Sequence, residues 1–281
     1  MTLHYRLFFW LAVVALVSCD KPKEGCIDVV AKNLSVGSEL ACKNGCCQYP
    51  SLFLQFTHIY GGTAFNAADT HTDAAANAFR IDSLAFFLSD MYIVQNNGNR
   101  IGTAERMSLF DYNGNTITED APNNYALINS VAATNGTTVG TTRHRTNDVA
   151  TLHLQVGIDA AANKALPTKY AATHPLTPLK TFPRMYNTAS QDYNFMKIWV
   201  NVDTNADGAP DTQKIFTLKD DANRTAIDAA YAGTVVVGND IVYGLNIDYQ
   251  ALTNGILFKT DDNATVLAKL KANIPTFIYK K

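Results

Sequence analysis

The sequence predicts a mostly β fold: a β-sandwich with one or two short helices, preceded by a small disulfide-stapled arm. Short segments of alternating apolar and polar residues recur after residue 50, separated by turns rich in Asn, Asp and Gly. Helical patterns occur in two segments, and four cysteines lie between residues 26 and 47. Many closely spaced strands with few helices are typical of a sandwich.

The composition is typical of a folded protein outside the cytoplasm. The chain has 281 residues, of which 47% are hydrophobic and 17% charged, and its net charge is -2. The apolar fraction is sufficient for a core and too high for a disordered chain. A near-neutral charge without a cluster of Lys and Arg argues against a nucleic-acid-binding protein. No apolar run reaches the roughly 18 residues that a membrane-spanning helix needs.

Residues 1–18 are predicted to be a lipoprotein signal peptide. A positively charged start precedes the apolar segment Leu7–Val17, which is too short to span a bilayer. The segment Leu16–Cys19 resembles the lipobox of bacterial lipoproteins, which implies cleavage before Cys19 and lipidation of this residue. The alternative is an ordinary secretory signal with an incidental cysteine. We expect an outer-membrane lipoprotein of the cell envelope, either periplasmic or surface-exposed.

Residues 19–50 are predicted to form a Cys-rich arm. Its four further cysteines are Cys26, Cys42, Cys46 and Cys47. An even number in an oxidising compartment indicates two disulfides. A direct bond between the two vicinal cysteines is strained, so Cys26 and Cys42 should each pair with one of them, in either order. A metal site at the last three cysteines is the alternative, but no His lies nearby. The segment also resembles a short Cys-rich repeat of bacterial surface proteins, which implies a stapled spacer.

Residues 51–281 are predicted to be one domain. The predicted strands are Leu52–His58, Arg80–Val94, Arg106–Tyr112, Tyr125–Val131, Val149–Gly157, Tyr193–Asp203 and Gln213–Leu218. Thr234–Tyr249 is predicted as either two strands or one long bent strand. Two helices are predicted: Ala222–Tyr231, which is rich in alanine, and Ala264–Ile274, whose apolar residues share one face.

Four segments occur in an order that carries a family resemblance. They are FTHIYGG (Phe56–Gly62), NAFRIDSLAFFLSDMYIV (Asn77–Val94), LHLQVGIDAAANKAL (Leu152–Leu166) and MYNTASQDYNFMKI (Met185–Ile198). In these motifs the chain resembles the MbnP-like family of secreted copper-associated proteins, related to the methanobactin-associated periplasmic protein. The resemblance covers roughly residues 51–258. It implies copper binding, near an outer-membrane transporter or a dihaem peroxidase as partner.

Two segments depart from the family pattern. Asn187 and Ala189 stand where the family has the two Trp residues of a W-x-W motif. In some members such a Trp is oxidised to a kynurenine that helps to bind copper. Lys214–Leu218 contains no His, whereas the family often has Y-H-x-G there. We therefore expect weaker copper binding than in members with the full motifs.

His58 and His71 are the predicted copper ligands. His58 occupies the family's F-x-H position, and His71 lies in a polar loop that also resembles a family His. Neutral imidazole suits copper, and a hairpin-like return of the chain could bring the two residues together. The alternative is that both are ordinary surface or capping residues. Met185 and Met196 could offer thioether ligands, but core packing is the expected reason for both.

A second metal motif lies in the predicted hairpin after residue 202. Residues 203–211 read DTNADGAPD, which matches the calcium-loop pattern D-x-[DN]-x-D-G-x-x-D. Calcium prefers six to eight oxygen ligands, and the predicted ones include Asp203, Asn205, Asp207 and Asp211. The ion would fix the hairpin. The alternative is a polar turn, since Asp, Asn and Gly are common turn residues.

These patterns leave two function classes. No common catalytic motif occurs, so we expect a protein that is not an enzyme. The first class is an extracytoplasmic lipoprotein that binds copper for acquisition or buffering. The alternative is a calcium-stabilised β-sandwich that binds a glycan or a protein. The His58 and His71 pair favours the first class, and the missing Trp and His motifs favour the second.

Overall fold

The structure is a computed structural model that describes residues 21–130, 136–144, 149–177, 184–231 and 235–281. The predicted signal peptide and the predicted lipidation site, Cys19, lie outside the described residues. Within the described ranges, no helix is both long and apolar enough to cross a membrane.

Strands dominate the described chain. In chain order they are β1 (Glu24–Gly25), β2 (Leu40–Ala41), β3 (Ser51–Tyr60), β4 (Thr63–Ala64), β5 (His71–Thr72), β6 (Ala78–Gln95), β7 (Arg100–Gly102), β8 (Arg106–Phe110), β9 (Thr116–Pro122), β10 (Ala126–Asn129), β11 (Gly136–Thr141), β12 (Val149–Val156), β13 (Tyr186–Asn187), β14 (Asp192–Val202), β15 (Thr212–Lys219), β16 (Thr225–Ala230), β17 (Ile241–Asp248) and β18 (Ile278–Lys280). The helices are α1 (Ala160–Asn163), α2 (Tyr249–Thr253) and α3 (Asn263–Phe277), with 3-10 turns at Pro167–Lys169 and Asp221–Asn223.

The arm is held by two disulfides, Cys26–Cys47 and Cys42–Cys46. This is one of the two pairings that the sequence left open, so the predicted stapling is confirmed. Strands β1 and β2, which directly precede Cys26 and Cys42, pair in parallel. With little apolar core of its own, a segment of this size depends on such covalent links.

Polar contacts fasten the arm to the body. Lys32 Nζ lies 2.7 Å from the carboxylate of Asp240, and the same carboxylate accepts a hydrogen bond from the backbone N–H of Ser51. The guanidinium of Arg143 stacks over the ring of Tyr49 at 4.0 Å. The arm therefore packs against the loop that precedes β17.

The body consists of two main sheets that share a core. Among the described residues, nine strands form a large sheet, centred on β6 with β14 and β12 beside it, and five form a small sheet with the order β11-β3-β17-β18. Strands β3 and β17 run parallel. The small sheet turns Leu52, Leu54 and Phe56 inward, and helix α3 adds Leu270 and Phe277 to the same core. This confirms the predicted mostly β fold.

A second apolar cluster covers the outer face of the large sheet. It contains Phe87, Tyr193 and Phe195, each about 1% exposed. Because adjacent residues of a strand point to opposite faces, burial on both sides explains why Phe86 and Phe87 of β6 are both buried.

Most predicted elements are present, with two corrections. The predicted helix Ala222–Tyr231 is wrong: β16 runs through this segment and pairs with β12. Ile227 and Ala229 point inward while Asp228 points outward, so pairing at the sheet edge overrides the helix propensity of alanine. In the segment predicted as Thr234–Tyr249, the described residues contain one strand, β17, that ends where α2 begins.

Candidate metal site

The end of β3 carries His58 on its core-facing side. Strand β3 folds back onto β4 through Gly61 and Gly62, whose φ angles of 56° and 89° lie in the left-handed region. Positive φ at both central residues is the requirement of a tight two-residue hairpin turn, which glycine meets without strain. The turn reverses the chain directly after the first predicted ligand and starts the return towards the second.

His58 is oriented by a buried tyrosine. Its Nδ1 lies 2.9 Å from the hydroxyl oxygen of Tyr249, the first residue of α2. The ring of Phe65 stacks on Tyr249 at 3.9 Å. Burial lowers the pKa of His58, which keeps its imidazole neutral at neutral pH. Its other ring nitrogen, Nε2, receives no hydrogen bond from any residue within the described ranges.

His71 lies in β5, against aromatic rings. Its ring stacks on that of Tyr60 with centroids 3.6 Å apart, and it is tilted against Phe79 at 5.8 Å. Nε2 of His71 is buried and has no hydrogen-bond partner among the described residues. Burial lowers the pKa of His71, opposed in part by the charge of Asp69. The neutral ring therefore has a buried nitrogen whose lone pair is available in one tautomer.

The structure brings both predicted copper ligands to one end of the sandwich. His58 and Tyr60 are two residues apart on β3, about 7 Å along the strand and on the same face. His71 stacks on Tyr60 from the opposite sheet, since β5 pairs with β6. A neutral His pair with aromatic lining suits a metal that prefers imidazole, copper among them. The sequence analysis missed Phe65 and Tyr249, whose contacts to the site depend on the fold.

The cysteines of the arm do not form a competing metal centre. Across the described part of the chain, the one group of at least three His, Cys, Asp or Glu with converging donor atoms is Cys42, Cys46 and Cys47. All three sulfurs are in disulfides. Metal binding by Cys requires the thiolate, so these residues are not ligands in the oxidised protein.

The remaining described histidines are engaged elsewhere. His153 lies 2.7 Å from the carboxylate of Asp228 and stacks on Tyr92 on the outer face of the large sheet. His144 and His174 hydrogen-bond to side chains within their own loops and neighbouring segments. None of the three contacts the aromatic rings around His58 and His71 in the described structure.

The two predicted methionine candidates pack in the core. Met185 is 4% exposed and belongs to the outer apolar cluster, whereas Met196 is 1% exposed and belongs to the core between the sheets. They lie on opposite faces of the large sheet and cannot share one ion. Packing accounts for both, as expected from the sequence.

The family's Trp positions lie far from the histidine pair. Asn187 pairs with Asp192, at the start of β14. His71 lies near the other end of this strand, because its partner Phe79 pairs with Val202. Ten residues of strand separate the two ends by about 30 Å. A side chain at position 187 or 189 therefore cannot join His58 and His71 around one ion. The expected weaker copper binding stays a prediction.

The predicted calcium loop is closed by its own hydrogen bonds. Asp203 is 4% exposed, and its two carboxylate oxygens accept from the N–H groups of Ala206 (2.6 Å) and Gly208 (2.8 Å). Asp207 accepts from the N–H of Ala209 at 2.8 Å, and Asn205 donates to Asp207. Each predicted carboxylate ligand is thus occupied by neighbouring donors.

The carboxylates of this loop do not converge. Asp203, Asp207 and Asp211 are absent from the converging donor groups of the described residues. Asp211 instead accepts from the hydroxyls of Thr204 and Thr212. Calcium binding here stays a prediction, and it would require these side chains to turn towards a common centre.

The fold and the site define a mostly β domain with a pair of neutral histidines inside an aromatic cluster. The family model described as MbnP matches residues 49–267. The chain therefore belongs to the MbnP family. This family is extracytoplasmic, which agrees with the predicted export of the chain. No curated protein matches the chain.

One solved structure is similar to the chain: MbnP from Methylosinus trichosporium, at 12% sequence identity. The match covers 73% of this chain and 78% of that one, with a TM-score of 0.44.

Proposed function

We propose that the protein binds copper through His58 and His71 and serves in copper acquisition or buffering at the cell envelope. The observation that carries the proposal is the buried, unpartnered Nε2 of His71, at the same end of the sandwich as His58. An imidazole nitrogen buried without a partner costs folding free energy, so a ligand role gives a reason for its position. Membership of the MbnP family supports a copper-related role.

The protonation of the site favours metal binding. Burial lowers the pKa of both histidines, so neither has to lose a proton before it can act as a ligand at neutral pH. If Nδ1 of His58 carries the ring proton, it donates to the Tyr249 oxygen and leaves Nε2 as the ligand atom. Such an outer hydrogen bond fixes the tautomer and the ring orientation of metal-binding histidines. Two imidazoles can bind Cu(I), or Cu(II) together with water.

Copper titration of the purified protein tests the proposal. We expect one equivalent of copper in the wild type and its loss in both His58→Ala and His71→Ala. The matched control is His153→Ala, which removes a histidine of the outer face and should retain the copper. Absence of binding in the wild type, or unchanged binding in both site variants, would overturn the proposal. A calcium-stabilised binding module would then be the better account.

Location and partners extend this proposal. A lipid on Cys19 would hold the protein at the outer membrane, where a copper carrier can pass its ion to an outer-membrane transporter or a dihaem peroxidase. In this role the protein is a carrier and not an enzyme. Replacing Cys19 with Ala should move the protein from the membrane fraction to the soluble fraction, because several acyl chains give stable anchoring. Unchanged partition would contradict the anchor and leave the copper site untouched.

A further inference from the structure

A basic cavity of about 420 Å³ opens on the outer face of the large sheet, at the end of β14 that is remote from the histidines. Its floor is formed by β14 and β15, where Lys197 is paired with Thr217 and Lys219 follows two residues later on the same face. The segment around β13 forms the facing wall with Asn187 and Thr188. The cavity is therefore assembled from three adjacent chain segments.

The residues lining the cavity carry three positive charges and no negative one. The cations are Arg184, Lys197 and Lys219. Their concentration is unusual in a chain with a net charge of -2. Among the described residues, none of the three forms an ion pair with a carboxylate. Lys197 Nζ donates instead to the backbone carbonyl of Arg184 at 2.7 Å.

The ammonium group of Lys197 lies in a cationic environment. Burial, and secondly the charge of Arg184, lower the pKa of Lys197. A neighbouring carboxylate would raise the pKa of Lys197, and no carboxylate contributes to its shift. An anion bound among the three cations would relieve this repulsion.

The polar lining is rich in hydrogen-bond donors. The side-chain oxygen of Asn187 already accepts from the N–H groups of Ala189 and Ser190 at 3.0 and 3.4 Å, so its amide nitrogen is the group left for a ligand. Thr188 and Thr217 add hydroxyl groups to the lining, which also includes Tyr186 and Asn194. Ammonium, guanidinium, amide and hydroxyl donors together match the oxygen atoms of a carboxylate or phosphate.

We propose that this cavity binds a small oxyanion, of the carboxylate or phosphate class. Its volume is within the range of small-molecule sites. Asn187 lines the cavity, and a larger side chain at this position would reduce the open space. The proposal is independent of copper binding.

Calorimetric titration of the purified full chain tests the site, with inorganic phosphate and citrate as separate probes. The ionic strength should be kept low, at about 20 mM, because salt screens the attraction. Lys219→Gln removes one charge from a side chain without a described ion pair and should weaken binding about tenfold. Asn187→Trp should abolish binding by filling the cavity. The control Lys280→Gln changes an exposed lysine of β18 and should bind as the wild type does.

The titrations distinguish an anion site in this cavity from its absence. Binding of phosphate alone or of citrate alone supports the site and identifies the class of anion. No binding of either probe overturns it, and so does equal affinity in the wild type and Lys219→Gln. A thermal melt of each variant checks folding. If Asn187→Trp does not fold, the comparison of Lys219→Gln with Lys280→Gln decides.

Discussion

Replacing Tyr249 with Phe removes one hydroxyl group from the buried side of the histidine pair. The tyrosine is fully buried, and its oxygen lies 2.9 Å from Nδ1 of His58. Burial also raises the pKa of Tyr249 well above its usual value, so the lost group is a neutral hydroxyl. The ring of Phe keeps the contact with Phe65, so the change removes only the hydrogen bonds of the hydroxyl, to His58 and to Ser130.

The expected loss of stability follows from these hydrogen bonds. A neutral hydrogen bond contributes about 0.5–1.5 kcal/mol net, and a partner left buried and unsatisfied costs about 1–3 kcal/mol. Because water cannot easily reach Nδ1 of His58 at this depth, we expect Tyr249→Phe to lose about 1–3 kcal/mol of unfolding free energy. Loss of an outer hydrogen bond to a metal ligand typically weakens metal affinity about 10–100-fold. The same variant should therefore weaken copper binding by this factor.

Urea unfolding and copper titration of the same samples measure both effects. The matched control is Tyr243→Phe, which removes another buried hydroxyl, one that donates to the Ala229 carbonyl in the core away from the histidines. It should lose a similar stability and keep its copper affinity. If Tyr249→Phe binds copper as tightly as Tyr243→Phe does, Tyr249 does not orient a copper ligand and the argument fails.

Three further predictions concern the fold. Burial lowers the pKa of four histidines below the ordinary 6.5, namely His58, His71, His144 and His174. Below about pH 6.5 the unfolded chain therefore binds more protons than the folded one. The urea midpoint should fall as the pH is lowered from about 7.5 to 5.5. A constant midpoint would contradict this expectation. Gly157 has φ 107°, and an added Cβ would lie 2.8 Å from the ring of Phe195. Gly157→Ala should therefore lower the unfolding free energy by about 1–3 kcal/mol in urea unfolding. Gly37→Ala, at a position with no neighbouring atom within 4 Å of the added Cβ, should cost little. If calcium binds the β14–β15 loop, calcium should raise the melting temperature of the wild type and raise it less in Asp207→Asn; a melt insensitive to both calcium and chelator counts against the ion.

The strands that sequence analysis predicted well are those with a clear period of two. Residues 52, 54 and 56 of β3 are apolar and buried, and the two positions between them, one of which is polar, are more exposed. The failure at β16 has a physical cause. Its alanines have high helix propensity, and its strand identity comes from hydrogen bonds to β12, more than sixty residues earlier in the chain. A local pattern carries no information about such a partner.

The candidate site was predictable only in part. His58 and His71 could be proposed from motifs, since each lies in a recognisable segment. Tyr249 could not be proposed from the sequence, because it is 191 residues from His58. The parallel pairing of β3 with β17 brings the two side chains into contact. The two lysines of the basic cavity lie on the β14–β15 hairpin. The facing wall of the cavity is formed by the segment around Asn187, and its position beside the hairpin depends on the fold.

The histidine pair and the basic cavity lie at opposite ends of β14, so mutations should affect them separately. The histidine pair lies beside Val202 and Phe79, whereas Asn187 lines the basic cavity about 30 Å away along the strand. Substitutions this far apart with no shared contacts are expected to act independently. Asn187→Trp should therefore leave copper binding unchanged while it blocks the cavity, and His71→Ala should do the reverse. Asn187→Trp therefore tests the basic cavity without changing the surroundings of the histidine pair.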